Sequence, residues 1–207
     1  MRITVIGATG MAGSRVTAEA VQRGHHVTAV SRSGDPLPGA TAVRADATDG
    51  ERMRELFAGT DAIVGATRPR PGQEQSVGAT TAALLDAAVD VGRRVLVVGG
   101  AGPLRTPGDP NRLVVDDPEY VPAQWRTIAA TSVAQLETCL AHSADWAYLS
   151  PPAVLEPGTR TGRYRRGGAT LLTGTGGTSR ISAEDLAVAV LDELENPSGA
   201  KHFTVVS

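Results

Sequence analysis

A chain of 207 residues, 41% of them hydrophobic, is long enough to bury one substantial core and short for two, so a single domain over 1–207 is expected. The formal net charge of −2 excludes an overall electrostatic pull toward nucleic acid or an anionic membrane, which leaves local basic clusters as the places to look for phosphate binding. Cys139 is the one cysteine and sits among apolar residues, so an intrachain disulfide is excluded and the thiol reads as a small buried hydrophobe.

After Met1-Arg2 the chain enters a short apolar run, Ile3–Ile6, without the length or flanks of a signal peptide, and it reads as a strand. Further strands are predicted at Val27–Ser31, Thr41–Arg44, Ala62–Val64, Arg94–Val98, Trp146–Leu149 and His202–Val205. Between them, apolar residues recur at helical spacing over Gly13–Arg23, Glu51–Phe57, Glu74–Val91, Pro122–His142 and Ala183–Glu195. Ser182 before Glu184 and Asp185 gives the last helix a hydroxyl cap and two acids where its dipole favours them, and Asn196-Pro197 ends it. Two Gly- and Pro-rich loops, 102–117 and 151–180, are expected on the substrate side of the sheet, the second with a small hairpin between Pro151 and Gly177. No stretch approaches the roughly 20 apolar residues of a membrane-spanning helix, so a cytoplasmic protein is expected. Aromatics at 3% leave the core to Ala, Val, Leu and Ile, as in parallel strands buried on both faces. The order of elements predicts an α/β fold: a doubly wound, mostly parallel sheet with helices on both faces and a small C-terminal substrate-side extension.

The strongest local signal is ITVIGATGMAG, an apolar strand running into Gly7, Gly10 and Gly13 and then a helix. Gly7 permits the tight turn, Gly10 lets the backbone approach a pyrophosphate, and Gly13 lets the helix pack near the strand. The amides opening that helix then face the phosphates, which makes this a Rossmann-type dinucleotide turn; a purely structural turn is the competing account. Ser31-Arg32-Ser33 ends the second strand, where NAD-preferring domains place a carboxylate on the adenosine ribose. A guanidinium and two hydroxyls suit a 2′-phosphate instead, which favours NADP(H) over NAD(H), with Asp35 nearby as a counter-signal. Asp46 and Ala47 follow the third strand, where an adenine amino group would lie, and Asp49 is the better helix cap. Gly65-Ala66-Thr67-Arg68 and Gly99-Gly100-Ala101-Gly102 end the next two strands at the carboxyl edge, leaving room for a flat ring.

On these residues the chain resembles the atypical short-chain dehydrogenase/reductase superfamily, in its NAD(P)H-binding, NADH-flavin reductase-like branch, allied to NmrA-like and biliverdin reductase B proteins. The carriers are GATGMAG, SRS, RADATD, VLVVGGAGPL, YLSPPAVLEPG and SRISAEDLAVAVLDELENP, spread over nearly the whole chain. The resemblance implies cofactor contacts at Gly7, Thr9, Gly10, Met11, Arg32, Asp46, Ala47, Ala66 and Gly99, with Pro151 and Pro152 beside the nicotinamide. Gly13, Ser31, Ser33, Thr67 and Gly100 complete the candidate set.

The chain departs from the superfamily in lacking its Tyr-x-x-x-Lys pair. Tyr120 is followed by Gln124 and Tyr148 by Pro152, and the sole lysine is Lys201. No residue is therefore singled out as catalytic. The gap suits hydride transfer to a delocalised acceptor, a flavin or quinone, for which position and electrostatics suffice. It suits equally an NmrA-like NADP(H) sensor without turnover, and a secondary-metabolism tailoring reductase or isomerase is a third reading. Candidate acceptor contacts are Arg68, Trp125 as an apolar wall, and Tyr164 with Arg165 inside the basic run Arg160, Arg163, Arg165, Arg166. His25 and His26 lack partners at metal-ligand spacing, so no metal is expected; His142 and Asp145 read as turn caps. A small-molecule partner, no nucleic acid or membrane, and a monomer or homodimer complete the expectation.

Overall fold

The computed structural model describes residues 1–174 and 176–207; Thr175, inside the expected loop 151–180, lies outside the described residues. The chain order is β1 (Arg2–Ile6), α1 (Met11–Gln22), β2 (His26–Ser31), β3 (Thr41–Arg44), α2 (Gly50–Ala58), β4 (Ala62–Gly65), α3 (Val77–Asp90) and β5 (Val95–Val98). It continues with β6 (Arg105–Thr106), β7 (Asp109–Leu113), α4 (Arg126–Leu140), β8 (Trp146–Ser150), β9 (Val154–Glu156), β10 (Arg165–Gly167), β11 (Arg180–Ser182), α5 (Ala183–Glu195) and β12 (His202–Val206). An eight-stranded sheet runs β10-β12-β8-β5-β4-β1-β2-β3, with every pair parallel except the edge strand β10, which is antiparallel to β12. Chain direction across the sheet reverses between β1 and β4, the switch point at which open α/β sheets bind ligands.

Successive residues of each strand feed opposite cores, because side chains alternate across the pleat. Ile3, Val5, Leu96, Leu149 and Phe203 meet α1 and α5 on one face. Ile6, Ile63, Val97, Trp146 and Tyr148 meet α2, α3 and α4 on the other. Cys139 is buried in the second core, which pushes its thiol up to about 12 and leaves it a packing group. The expected caps are in place: Ser182 Oγ accepts from the Asp185 amide at 3.0 Å, and Asp49 Oδ1 accepts from the Arg52 amide at 3.0 Å. Helices α3 and α4 begin later than their periodicity predicts, because 3-10 turns occupy Glu74–Ser76 and Ala123–Trp125.

The loops correct the sequence expectation. A hairpin lies in the first loop, as β6 against β7, and none is formed between Pro151 and Gly177 among the described residues. There β9 pairs in parallel with β11, and β10 joins the main sheet. The two loops do meet: Leu104, Val114 and Leu171 form a separate small core with Ala101 and Ala153 beyond β5 and β8. The segment between β9 and β10 is tied to α1 and α5. The Thr161 and Gly162 amides both donate to Asp185 Oδ1 at 2.8 Å, and Arg160 donates to Glu19 at 2.7 and 2.9 Å.

Glu19, 4% exposed, anchors this face, since it also accepts from Arg23 at 2.8 Å. The Arg160 guanidinium, and then Arg23, hold its carboxyl below the ordinary 4.5 against burial that pushes it up. A depressed folded value contributes stability above the unfolded value and loses it as pH falls through the folded one, so this carboxylate's share disappears in acid below about pH 4.5. Glu19→Ala is expected to cost about 1–2 kcal/mol in urea denaturation at pH 7, because it removes charge-assisted bonds to Arg160, which is exposed, and to Arg23, which keeps Asp192 and Glu195. The gap from wild type should narrow as the pH drops; a constant gap from pH 7 to about pH 3 would reject the ionic origin.

Candidate cofactor-binding site

The cradle begins where β1 ends. Gly7 adopts φ +81°, a conformation that side chains rarely tolerate, and a Cβ there would lie 2.4 Å from the Ala66 carbonyl oxygen. The turn after β1 and the exit of β4 are thus in direct contact. A Cβ on Gly13 would stand 2.2 Å from the Gly7 carbonyl oxygen, so the absent side chain is what lets α1 start against the strand end. Gly10 caps that helix without a side chain, and the first turn carries no acidic residue. The dipole at that end favours negative charge.

A cleft of about 510 Å³ opens over this turn, within the range of small-molecule sites. Of the residues expected from sequence, Gly7, Thr9, Gly10, Ser31, Arg32, Asp46, Ala47, Ala66, Thr67 and Arg68 line it together. Ser31 is buried, and its Oγ accepts from the Gly34 amide at 3.0 Å, so this hydroxyl shapes the turn after β2. Asp46 Oδ1 accepts from the Thr48 amide at 3.0 Å and from Thr48 Oγ1 at 2.8 Å. Those two bonds, backbone first, hold its carboxyl low, with Arg32 and Arg70 adding to the effect.

Other expected residues lie outside the cleft wall. Gly13 acts behind it, through the contact just described. Met11 is exposed at the first position of α1, and Ser33 is exposed with its Oγ 3.3 Å from that of Ser31. Gly99 and Gly100 serve packing: a Cβ on Gly99 would fall 1.9 Å from Tyr148 Oη, and one on Gly100 would fall 3.0 Å from Ser132. Pro151 and Pro152 are buried after β8. Trp125 is 56% exposed before α4. Tyr164 donates to Asp192 Oδ2 at 2.7 Å, Arg165 donates to the Thr173 carbonyl, and Arg166 pairs with Glu193 at 2.7 Å. Of the basic run, Arg160 and Arg166 are therefore tethers to α1 and α5, and Arg165 is a tether to the loop at Thr173.

Sequence reasoning missed the other wall. Pro69, Arg70, Gln73, Ser76, Val77 and Thr80 line the cleft from the β4–α3 segment. A signal was present in Thr67-Arg68-Pro69-Arg70-Pro71-Gly72, where each arginine precedes a proline that keeps it extended at the sheet's carboxyl edge. The Tyr148 amide donates to the carbonyl of Lys201, the sole lysine, at 2.7 Å, while the side chains of both meet other partners. Tyr148 is fully buried, its Oη 2.9 Å from the Ser132 carbonyl and 3.1 Å from Gln135 Oε1, and burial pushes its pKa far up. Tyr120 packs on the small core around Leu104, Tyr164 is held by Asp192, and Lys201 stands 3.3 Å from Asp145.

A glycine turn at a helix start and guanidiniums at the cleft rim fit the phosphates of a nicotinamide dinucleotide. Comparison with known proteins agrees. A denitrifying reductase that acts on 3-diazoavenalumate in Streptomyces is 32% identical, the alignment covering 99% of this chain and 76% of that protein. Among solved structures, a Burkholderia pseudomallei protein described as a candidate exported protein superposes with TM-score 0.87 at 37% identity, over 100% of both chains. A candidate NADH-flavin reductase of Streptococcus pneumoniae superposes with TM-score 0.87 at 27% identity, over 100% of this chain and 99% of that one. The profile of the NAD(P)H-binding family matches residues 7–197, and the chain belongs to that family.

Proposed function

We propose that this protein is an NADPH-dependent oxidoreductase that passes hydride to a planar acceptor such as a flavin or quinone. The observation that carries the reading is the cleft at the switch point, where the glycine turn after β1 touches the exit of β4 and Arg32, Arg68 and Arg70 supply the rim charge. The names of the Streptomyces and Streptococcus relatives support the reaction class.

When bound, the dinucleotide would supply a hydride from its nicotinamide ring. The chain's own residues do the positioning. Amides opening α1 hold the diphosphate, the turn after β3 sets the adenine, and Arg32 meets the 2′-phosphate with a planar fork. Tyr148 holds its proton inside the core, Tyr164 is held by Asp192 and Lys201 pairs with Asp145, which favours an acceptor that needs no protein acid.

Stopped-flow mixing of protein, NADPH and either FMN or a benzoquinone is expected to show acceptor-dependent loss of NADPH absorbance. Arg32→Ala should weaken NADPH about tenfold and leave NADH unchanged, as for loss of one charge-assisted contact. Unchanged coenzyme preference in this variant would remove the 2′-phosphate assignment. A second reading, cofactor sensing without turnover, is favoured by the packing roles of Gly99 and Gly100 at the edge where an acceptor would stand. Tight NADPH binding with no oxidation by either acceptor would select it.

A further inference from the structure

Most arginines that reach the helices of this fold are paired. Arg15, Arg23, Arg94 and Arg166 each meet a carboxylate within 3.1 Å. Arg32, Arg68 and Arg70 are exposed on the cleft wall and have no ion-pair partner among the described residues. Asp46 is the one carboxylate among the described lining residues, and Thr48 already holds it. The cleft therefore concentrates positive charge in a chain whose net charge is −2.

Arg70 approaches from the side opposite to Arg32. Its own carbonyl accepts from the Gln73 amide at 2.9 Å, and Gly72, at φ +81°, turns the chain while its amide donates to Glu74 Oε1 at 3.0 Å. Pro71 keeps the Arg70 backbone extended. The guanidinium is thus carried on a short, braced segment and directed to the cleft mouth. Arg32, Arg70 and Asp46 line one cleft, Asp46 just past the end of β3, where the adenosine half would lie, and both guanidiniums help to hold that carboxylate low.

We propose that Arg70 and Arg32 together form a two-guanidinium subsite for a phosphate monoester on the adenosine ribose, so that preference for NADPH over NADH is shared between the loops after β2 and β4. The inference rests on the coenzyme reading above. A phosphate monoester carries close to two negative charges at neutral pH and would stand near Asp46, which repels it. One exposed guanidinium in water offsets that weakly, whereas two forks on opposite sides neutralise the dianion and fix its orientation.

Calorimetric titration with adenosine 2′,5′-bisphosphate and with 5′-AMP isolates the added phosphate, since the two ligands differ in that group alone. Arg70→Gln is expected to weaken the bisphosphate about tenfold while 5′-AMP changes by less than about twofold. Arg70→Lys should recover part of the loss by restoring charge without the fork, and the melting temperature should not move in either variant. NADPH and NADH titrations should follow the same division. Equal loss for both ligands would show that Arg70 serves the base or the 5′-phosphate, and no loss would show that it serves neither; either result overturns the inference. Wild-type protein that binds NADPH and NADH equally also overturns it and leaves dinucleotide binding standing. Protein that binds neither coenzyme overturns the underlying reading as well.

Discussion

Gly13→Ala is expected to lose at least about 100-fold in affinity for NADPH and NADH alike, the equivalent of two charge-assisted hydrogen bonds. The added methyl would sit 2.2 Å from the Gly7 carbonyl oxygen and 2.8 Å from its carbon, which are backbone atoms with no rotamer to escape into. The start of α1 must move away from β1, and the amides that open the helix move with it. Overpacking of this kind also costs about 1–3 kcal/mol of stability, measurable by urea denaturation. Gly59→Ala serves as the control, because a Cβ there meets nothing within 4 Å. Both variants remove glycine entropy from the unfolded chain, so that shared effect cancels in the comparison. Wild-type coenzyme affinity in Gly13→Ala would mean that the turn is not the diphosphate cradle.

Gly99→Ala is the second large effect, and it separates two accounts of one glycine. If Gly99 exists to leave room for a flat ring, the variant folds normally and loses coenzyme. Geometry points to packing, since the new Cβ would lie 1.9 Å from Tyr148 Oη and 2.1 Å from Cζ, within a side chain that is fully buried. The tyrosine cannot yield without breaking its contacts with Ser132 and Gln135, so destabilisation of about 3 kcal/mol is expected. In a Tyr148→Leu background the same substitution should cost about 2 kcal/mol less, because the obstacle is gone. Additive costs in this double-mutant cycle would reject the packing account.

Legibility differed between elements for identifiable reasons. Strands such as Ile3–Ile6 and the cap at Ser182 were readable because alternation and capping are local, fixed by a few consecutive residues. The glycine turn was readable for the same reason: its three glycines act within one β-turn-α unit. The late starts of α3 and α4 were not, since 3-10 turns at Glu74–Ser76 and Ala123–Trp125 share the apolar spacing of the helices they precede. The run Arg160, Arg163, Arg165, Arg166 reads as a setting for acceptor contacts because composition shows charge and not partners. Glu19 and Glu193, far away in sequence, claim Arg160 and Arg166.

By itself the sequence determined the β-α order, the glycine turn after β1 and the basic residue after β2, all set by short-range geometry and side-chain chemistry. Tertiary structure alone decided that Pro69 to Thr80 form the opposite wall, that Gly99 yields its space to Tyr148, and that most of the C-terminal arginines are tethers. Those outcomes depend on which distant groups meet across the sheet, and such pairing is set by the packing of whole elements, to which no local pattern refers.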